Sequence, residues 1–388
     1  MKQTRGGERV TTSRTAMMPM LEKSLFVGLD GVAHLCTGGE APWLRSHDAA
    51  CRRFGELKSG GMAGRDEMFR TYARAKVRIA GMIGIAPERV AFLAHASEGL
   101  NQAVAAVDWR PGDNAVFADI EYPSLVYPVA ALRDQGVQCR VVPTRDGYLS
   151  IDDLAAAVDA RTRLILVSHV SYLTGQRLDL ARCAEIARRV GAWLAVDATH
   201  GLGVAPVEAE LCEFVVSACY KWLLGTHGVG VFAYAPDRVG DVMPRVIGWH
   251  SVGHRGGPAD PLTIAPRADA ARFEAGNPSL LGLAVLDNAL EHIAGLDPRA
   301  TLAHAHALGD ELIAGLRARG KSVITPSARD ERAGNICFAE SDGSGLAARL
   351  TERGVQVWGS EGRVRVSPHV HNDADDVAAF FAALDGVT

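Results

Sequence analysis

The chain has 388 residues, of which 48% are hydrophobic and 22% charged, with a formal net charge of −4. These values are typical of a globular protein, and they exclude a disordered or collagen-like chain. The 41 Lys and Arg residues do not exceed the 45 Asp and Glu residues, and no apolar run approaches the roughly 18 residues of a membrane helix, so neither nucleic-acid binding nor membrane insertion is expected.

Cysteine usage indicates the compartment. There are seven cysteines, an odd number, and no two form a CxxC pair. This pattern disfavours a disulfide framework or a zinc ribbon, and we expect a cytoplasmic protein. Residues 1–20 lack the apolar core of a signal peptide and are expected to be loosely ordered.

From residue 66 onward, apolar segments alternate between helical and strand periodicity. Helices are predicted at 66–83, 98–107, 125–135, 151–160 and 180–190, and strands at 89–94, 114–118, 138–143, 163–168, 193–197, 214–218 and 230–234. Continuous apolar strands separated by helices predict an α/β fold with a mostly parallel sheet covered on both faces.

The last hundred residues have a different pattern. Helices are predicted at 280–296, 300–318, 345–353 and 374–384, and strands at 321–324, 335–339 and 362–367. We therefore predict a large α/β domain over residues 21–278 and a smaller α+β domain over 279–388, which the N-terminal segment could join.

Polar side chains follow five of the predicted strands. Ligands of open parallel sheets bind beyond the carboxyl ends of the strands, so these residues are candidates for one site. They include Ser97 and Glu98, Tyr122, Asp197 with His200, and Tyr220 with Lys221.

Asp197 and Lys221 suggest a specific chemistry. Each charged side chain stands at the end of an apolar strand, where it loses water. A lysine that binds an aldehyde cofactor as a Schiff base, with an aspartate that keeps the cofactor's ring nitrogen protonated, is the arrangement of pyridoxal 5′-phosphate (PLP) enzymes. The alternative is a buried Asp–Lys ion pair without catalytic function.

A phosphate group needs backbone N–H groups at a helix N-terminus. The turn that contains Ser97 and Glu98 lies between a predicted strand and a predicted helix, so it could bind the cofactor's phosphate. The same residues also make an ordinary helix start.

Five segments, in this order, resemble the class V aminotransferase family of fold-type I PLP enzymes, from about residue 66 to the C-terminus. They are 96–101 (ASEGLN), 168–171 (SHVS), 196–200 (VDATH), 220–225 (YKWLLG) and 273–278 (FEAGNP). The family includes cysteine desulfurases, selenocysteine lyases, kynureninases and isopenicillin N epimerase-like proteins.

The resemblance implies a role for each matching residue. Lys221 would carry the cofactor as an aldimine and shuttle the Cα proton of an α-amino acid, and Asp197 would pair with the pyridinium. The other implied cofactor contacts are Tyr122 stacking on the ring, His200 near the 3-hydroxyl, Ser97 and Tyr220 at the phosphate, and Gly276 and Asn277 from the neighbouring subunit of a homodimer.

The substrate would be an amino acid held by its carboxylate. The resemblance assigns this contact to Arg365, although Arg363 lies on the same face of the predicted strand, and the two remain alternatives. Trp249 lies in a loop that reaches the substrate in kynureninase-like proteins, so it is a second candidate substrate contact.

One departure from the family's sequence pattern narrows the range of activities expected for this chain. Desulfurases need a cysteine on a loop shortly before the carboxylate-binding arginine, and residues 350–364 contain none, so this activity is disfavoured. Aminotransferase or lyase activity is favoured, with epimerase activity and a non-catalytic PLP- or metabolite-binding relative as alternatives. A metal site is not expected, because the two HxH pairs lie in a predicted helix and at a strand end.

Overall fold

The computed structural model describes residues 17–255, 260, 262–360 and 362–387. Most of the segment predicted to be loosely ordered therefore lies outside the described residues. In the described part of that segment, residues 17–20, Met17 is buried and the Met20 N–H donates to the Val370 carbonyl at 2.7 Å.

The described chain begins with a short strand and two helices. These are β1 (Ala33–His34), α1 (Ser46–Ser59) and α2 (Gly61–Ile83). The sequence predicted α2 but not α1, because α1 has no broad apolar stripe and buries only His47.

The central element is a seven-stranded sheet. Its strands are β2 (Val90–Leu93), β3 (Asn114–Ala118), β4 (Gln138–Val142), β5 (Thr162–Ser168), β6 (Trp193–Asp197), β7 (Phe214–Ala218) and β8 (Gly230–Tyr234). They are arranged in the order β2-β8-β7-β6-β5-β3-β4. Only β8 runs antiparallel to its neighbours within this sheet of the described residues. The predicted α/β class with a mostly parallel sheet is confirmed.

Helices cover both faces of this sheet. They are α3 (Ala96–Ala106), α4 (Pro123–Ala130), α5 (Ile151–Ala157) and α6 (Leu180–Val190). The side chains of β5 show why two layers form: Leu164 and Leu166 pack into one hydrophobic cluster, whereas Ile165 and Val167 pack into the other. Because successive strand residues point to opposite faces, a continuous apolar run requires cover on both sides.

A short helix and a hairpin connect the sheet to the C-terminal part. These are α7 (Pro236–Val239), β9 (Val252–Arg255) and β10 (Ile264–Pro266), and two long helices follow, α8 (Leu280–Ile293) and α9 (Pro298–Ala318).

The remaining elements form a small layer. They are β11 (Ile336–Ala339), α10 (Gly343–Thr351), β12 (Val355–Gln356), β13 (Trp358–Ser360), β14 (Arg363–Val366) and α11 (Ala374–Asp385). The sheet order is β11-β14-β13, and β1 pairs in parallel with β12, which places the N-terminal segment against this part of the chain. The predicted strand 321–324 is wrong: it makes one bridge, between Val323 and Phe338, and Pro326 soon removes a backbone donor.

Three of the four histidines of the HxH pairs bond to backbone carbonyls. The Nε2 atoms of His306, His369 and His371 lie 2.9–3.1 Å from carbonyl oxygens. Across the described ranges, no group of three or more His, Cys, Asp or Glu side chains could hold a metal ion. No helix in the described part of the chain has the length and apolarity needed to cross a bilayer.

Candidate active site

A cleft opens at the carboxyl ends of the central strands. Six residues predicted from the sequence line it: Ser97, Tyr122, Asp197, His200, Tyr220 and Lys221. They come from the ends of four different strands, and the sheet brings them to one edge.

Asp197 ends β6 and is buried at the base of the cleft. Its Oδ1 accepts a hydrogen bond from the Thr199 N–H at 2.8 Å, and the Thr199 hydroxyl in turn accepts one from the Ala218 N–H at 3.1 Å. Burial raises the pKa of the Asp197 carboxyl, while the Thr199 hydrogen bond and the nearby Lys221 oppose that shift. The cleft thus contains a fixed carboxyl group that favours a positively charged partner.

Lys221 lies three residues after β7, and its Nζ is 3.2 Å from His200 Nε2. Burial, followed by repulsion from Arg365, lowers the pKa of Lys221 to about 8, although Asp197 acts in the opposite direction. About a tenth of this amine is therefore neutral at pH 7, far more than for an ordinary lysine, and the neutral form is the one that attacks a carbonyl carbon.

The start of α3 forms one wall of the cleft. The hydroxyl groups of Ser97 and Ser124 are 2.7 Å apart, and both residues line the cleft. Glu98 instead caps the helix: its carboxylate accepts from the Ala94 N–H at 2.8 Å, and its own N–H donates to His95 Nδ1 at 3.0 Å. The hydroxyl groups, rather than the Glu98 side chain, are the groups turned toward a ligand.

Two tyrosines line the cleft. Tyr122 is 45% exposed, and its ring meets that of Tyr172 edge-on at a centroid distance of 5.1 Å. The Tyr220 ring stacks on His227 at 4.0 Å. The exposed face of Tyr122 is thus available to a planar ligand.

Arg365 lies on β14 and is buried. It donates from Nη1 to the Tyr172 carbonyl at 2.9 Å and packs over the Trp358 ring at 4.8 Å, while its Nε has no hydrogen-bond partner. Burial lowers its pKa, and no carboxylate in the described part of the chain pairs with it. This is a desolvated cation without a counter-ion.

The other candidate arginine, Arg363, lines a separate cavity with Gly147 and Thr174. Arg365, in contrast, is close enough to Lys221 and His200 to influence the pKa of each. The geometry therefore favours Arg365 over Arg363 as the carboxylate contact.

Besides Glu98 and Arg365, three predicted residues do not line the cleft of this chain. Trp249 is half exposed in a loop whose His250 N–H approaches the Ala275 carbonyl at 3.5 Å, next to Gly276. Asn277 Oδ1 is 3.5 Å from an Nη of Arg65. Trp249, Gly276 and Asn277 therefore belong to one neighbouring region of the molecule.

Several residues of the site were missed by sequence reasoning. Asn335 precedes β11, at the amino end of a strand, so a search of carboxyl ends does not find it. Cys36 follows the two-residue strand β1, which is too short to show a pattern, and lies near Arg365 and Lys221. Glu121, three residues after β3, is buried and accepts from the Ser168 N–H at 2.9 Å, and burial raises its pKa to about 7.

Comparisons with known proteins agree with this geometry. A probable cysteine desulfurase of Pseudomonas aeruginosa is 29% identical over 339 residues, which cover 81% of this chain and 82% of that protein. An isopenicillin N epimerase of Amycolatopsis lactamdurans is 31% identical over 185 residues, covering 45% and 46% of the two chains. The crystal structure of the cysteine desulfurase CsdA from Escherichia coli superposes with a TM-score of 0.83 at 20% identity, covering 94% of this chain and 96% of that one, which shows the shared fold.

The family assignment rests on a sequence match that covers most of the chain. Residues 53–380 match the profile described as "Aminotransferase class-V". This range contains the strand-end residues of the cleft and Arg365. The chain therefore belongs to the class V aminotransferase family of fold-type I, PLP-dependent enzymes.

Proposed function

We propose that this enzyme acts on α-amino acids, as an aminotransferase or a lyase, and that Arg365 binds the substrate's α-carboxylate. The observation that carries the proposal is the buried guanidinium, which has an unpartnered Nε and no carboxylate partner among the described residues. A buried unpaired charge is costly, and a ligand carboxylate would satisfy it with paired hydrogen bonds. A carboxylate-binding arginine beside a partly neutral lysine suits an amino acid.

The chemistry of the residues in the cleft fits PLP. When bound, this cofactor withdraws electrons from the substrate and so stabilises negative charge at Cα. Lys221 is the proposed point of covalent attachment, and its amine also accepts and returns the Cα proton. Asp197, already held by Thr199, keeps a proton on the cofactor's ring nitrogen because its buried carboxylate needs a positive partner.

The side chains that line the cleft suggest the remaining cofactor contacts. Ser97 and Tyr220 provide hydroxyl groups for the phosphate near the start of α3, where the helix dipole also favours an anion. Tyr122 would pack against the cofactor's ring face, and His200 would contact its 3-hydroxyl, since both residues line the cleft. Glu98 contributes by capping the helix that presents Ser97.

We also propose a homodimer in which Gly276 and Asn277 of one subunit reach the phosphate of the other. Trp249 lies in the same region, outside its own cleft, which supports a role for it at the partner's substrate site. A cytoplasmic location remains part of the proposal.

Sulfur transfer to an enzyme cysteine is disfavoured despite the desulfurase relative. Residues 350–364 contain no cysteine. Cys337 is buried in β11 with its pKa raised to about 11, and burial also raises the pKa of Cys36 despite the nearby Arg365. Both thiols are therefore poor nucleophiles near neutral pH. Epimerase activity, for which the isopenicillin N epimerase relative is a precedent, is the second candidate.

The experiment is a substrate screen of the PLP-loaded protein. Each α-amino acid is compared with the primary amine that lacks its carboxylate, by absorption spectroscopy and product analysis. We expect spectral changes and product only with amino acids, and the product identifies transamination, elimination or epimerisation. Equal responses to the matched amines would contradict the proposal.

A further inference from the structure

The His200 imidazole is hydrogen-bonded on both of its nitrogen atoms. Its Nδ1 lies 3.0 Å from Asn335 Nδ2 and 3.4 Å from Trp222 Nε1, and its Nε2 lies 3.2 Å from Lys221 Nζ. An indole N–H can only donate a hydrogen bond. Nδ1 must therefore be the acceptor, without a proton of its own.

The orientation of the Asn335 amide leads to the same conclusion. Its Oδ1 is 2.9 Å from the Ser367 hydroxyl, and its Nδ2 is 3.5 Å from the Ser171 carbonyl as well as facing His200. A carbonyl oxygen can only accept, so the NH₂ end of the amide must point toward Ser171 and His200. Asn335 thus also donates to Nδ1.

The proton of a neutral His200 must then be on Nε2. Burial, the largest cause, and the positive charge of Arg365 hold the pKa of His200 well below its usual value, so the ring is neutral. The Nε2–H points at Lys221 Nζ, and a hydrogen bond between them requires a lone pair on the lysine. An ammonium group has none.

We propose that Asn335 and Trp222 are positioning residues that hold the His200 proton on Nε2 and thereby keep Lys221 as a neutral amine. The inference rests on the proposed role of Lys221 as the attachment point, because that role requires a nitrogen lone pair. With an aldehyde cofactor bound, this lone pair would form the C–N bond, and both amine protons would leave with the aldehyde oxygen as water.

Other groups around Lys221 shift its pKa in both directions. Arg365, from β14, disfavours its charged form, whereas Asp197, from β6, and Glu40 and Cys36, from the N-terminal segment, favour it. Burial is the largest single influence. The His200 contact acts on Lys221 in the same direction as burial and Arg365, toward the neutral amine.

The first test measures the His200 tautomer in the wild-type protein. Nitrogen-15 NMR of histidine-labelled, cofactor-free protein distinguishes the two tautomers, and the His200 signal is assigned by its loss in His200→Gln. We expect Nε2 protonated and Nδ1 unprotonated across pH 6–8. A protonated Nδ1 would overturn the proposal whatever the variants show.

The second test measures the amine itself. Cofactor-free protein is reductively methylated with formaldehyde over a pH series, and the extent at Lys221 is measured by mass spectrometry. Asn335→Asp replaces the donor with an acceptor, which draws a proton to Nδ1 and frees Nε2 to accept from an ammonium group. An upward shift of one pH unit in the labelling midpoint, from about 8 in the wild type, would lower the rate at pH 8 roughly fivefold.

The uncharged variant Asn335→Leu controls for the added charge. It removes one donor to Nδ1 and leaves Trp222, so the expected shift has the same sign and is smaller. An unchanged midpoint in both folded variants would contradict the proposal. Failure of PLP to attach at Lys221 would instead contradict the proposed function, because neither measurement uses the cofactor.

Discussion

Replacing Arg365 with alanine should weaken substrate binding much more than it weakens the fold. Without substrate, the change removes one hydrogen bond to Tyr172 and the contact with Trp358, but it also removes a buried charge that has no carboxylate partner in the described residues. These effects oppose each other, so the thermal unfolding midpoint should change little. With substrate present, the ligand's carboxylate would lose its partner, at a cost of about 2–5 kcal/mol.

That cost corresponds to a loss of roughly 30-fold to several thousandfold in substrate affinity. The measurement is KM for the best amino acid from the screen, together with the absorption spectrum of the bound cofactor, which should be largely unchanged. Arg363→Ala is the matched control, because Arg363 lies two residues earlier on β14 but lines another cavity. Equal KM values for the wild type and Arg365→Ala, or a larger effect at Arg363, would refute the carboxylate contact.

Three further predictions concern the cofactor. Borohydride reduction of the PLP-loaded protein followed by peptide mapping should label Lys221. Lys221→Ala should lose the absorption band near 400–430 nm that is typical of a lysine-bound PLP. A label at another lysine would contradict the assignment of Lys221 as the attachment point. Asp197→Asn should still bind PLP but lose most turnover, since a neutral amide cannot hold the ring-nitrogen proton, and wild-type turnover would rule out this role. Asn277→Ala should lower PLP affinity while the protein remains a dimer, as measured by light scattering. A fully active wild-type monomer would contradict the shared site.

Much of the fold could be predicted because strand and helix periodicity is a local signal. Four predicted strands, β3 and β6 to β8, match the structure to the residue, since each is a mainly apolar run buried on both faces. The helix α1 was missed because it is largely exposed, and the predicted strand 321–324 was wrong because its apolar residues make only one bridge.

The sequence by itself determined which residues follow the central strands, and a parallel sheet necessarily brings such residues to one edge. Only the tertiary structure shows that Arg363 lines a separate cavity whereas Arg365 lies near Lys221 and His200, because alternation along a strand places both on one face. The same holds for Asn335, which reaches His200 from 135 residues away and from the amino end of its strand. Contacts of this kind depend on how the C-terminal part packs against the central sheet, and local patterns contain no information about that packing.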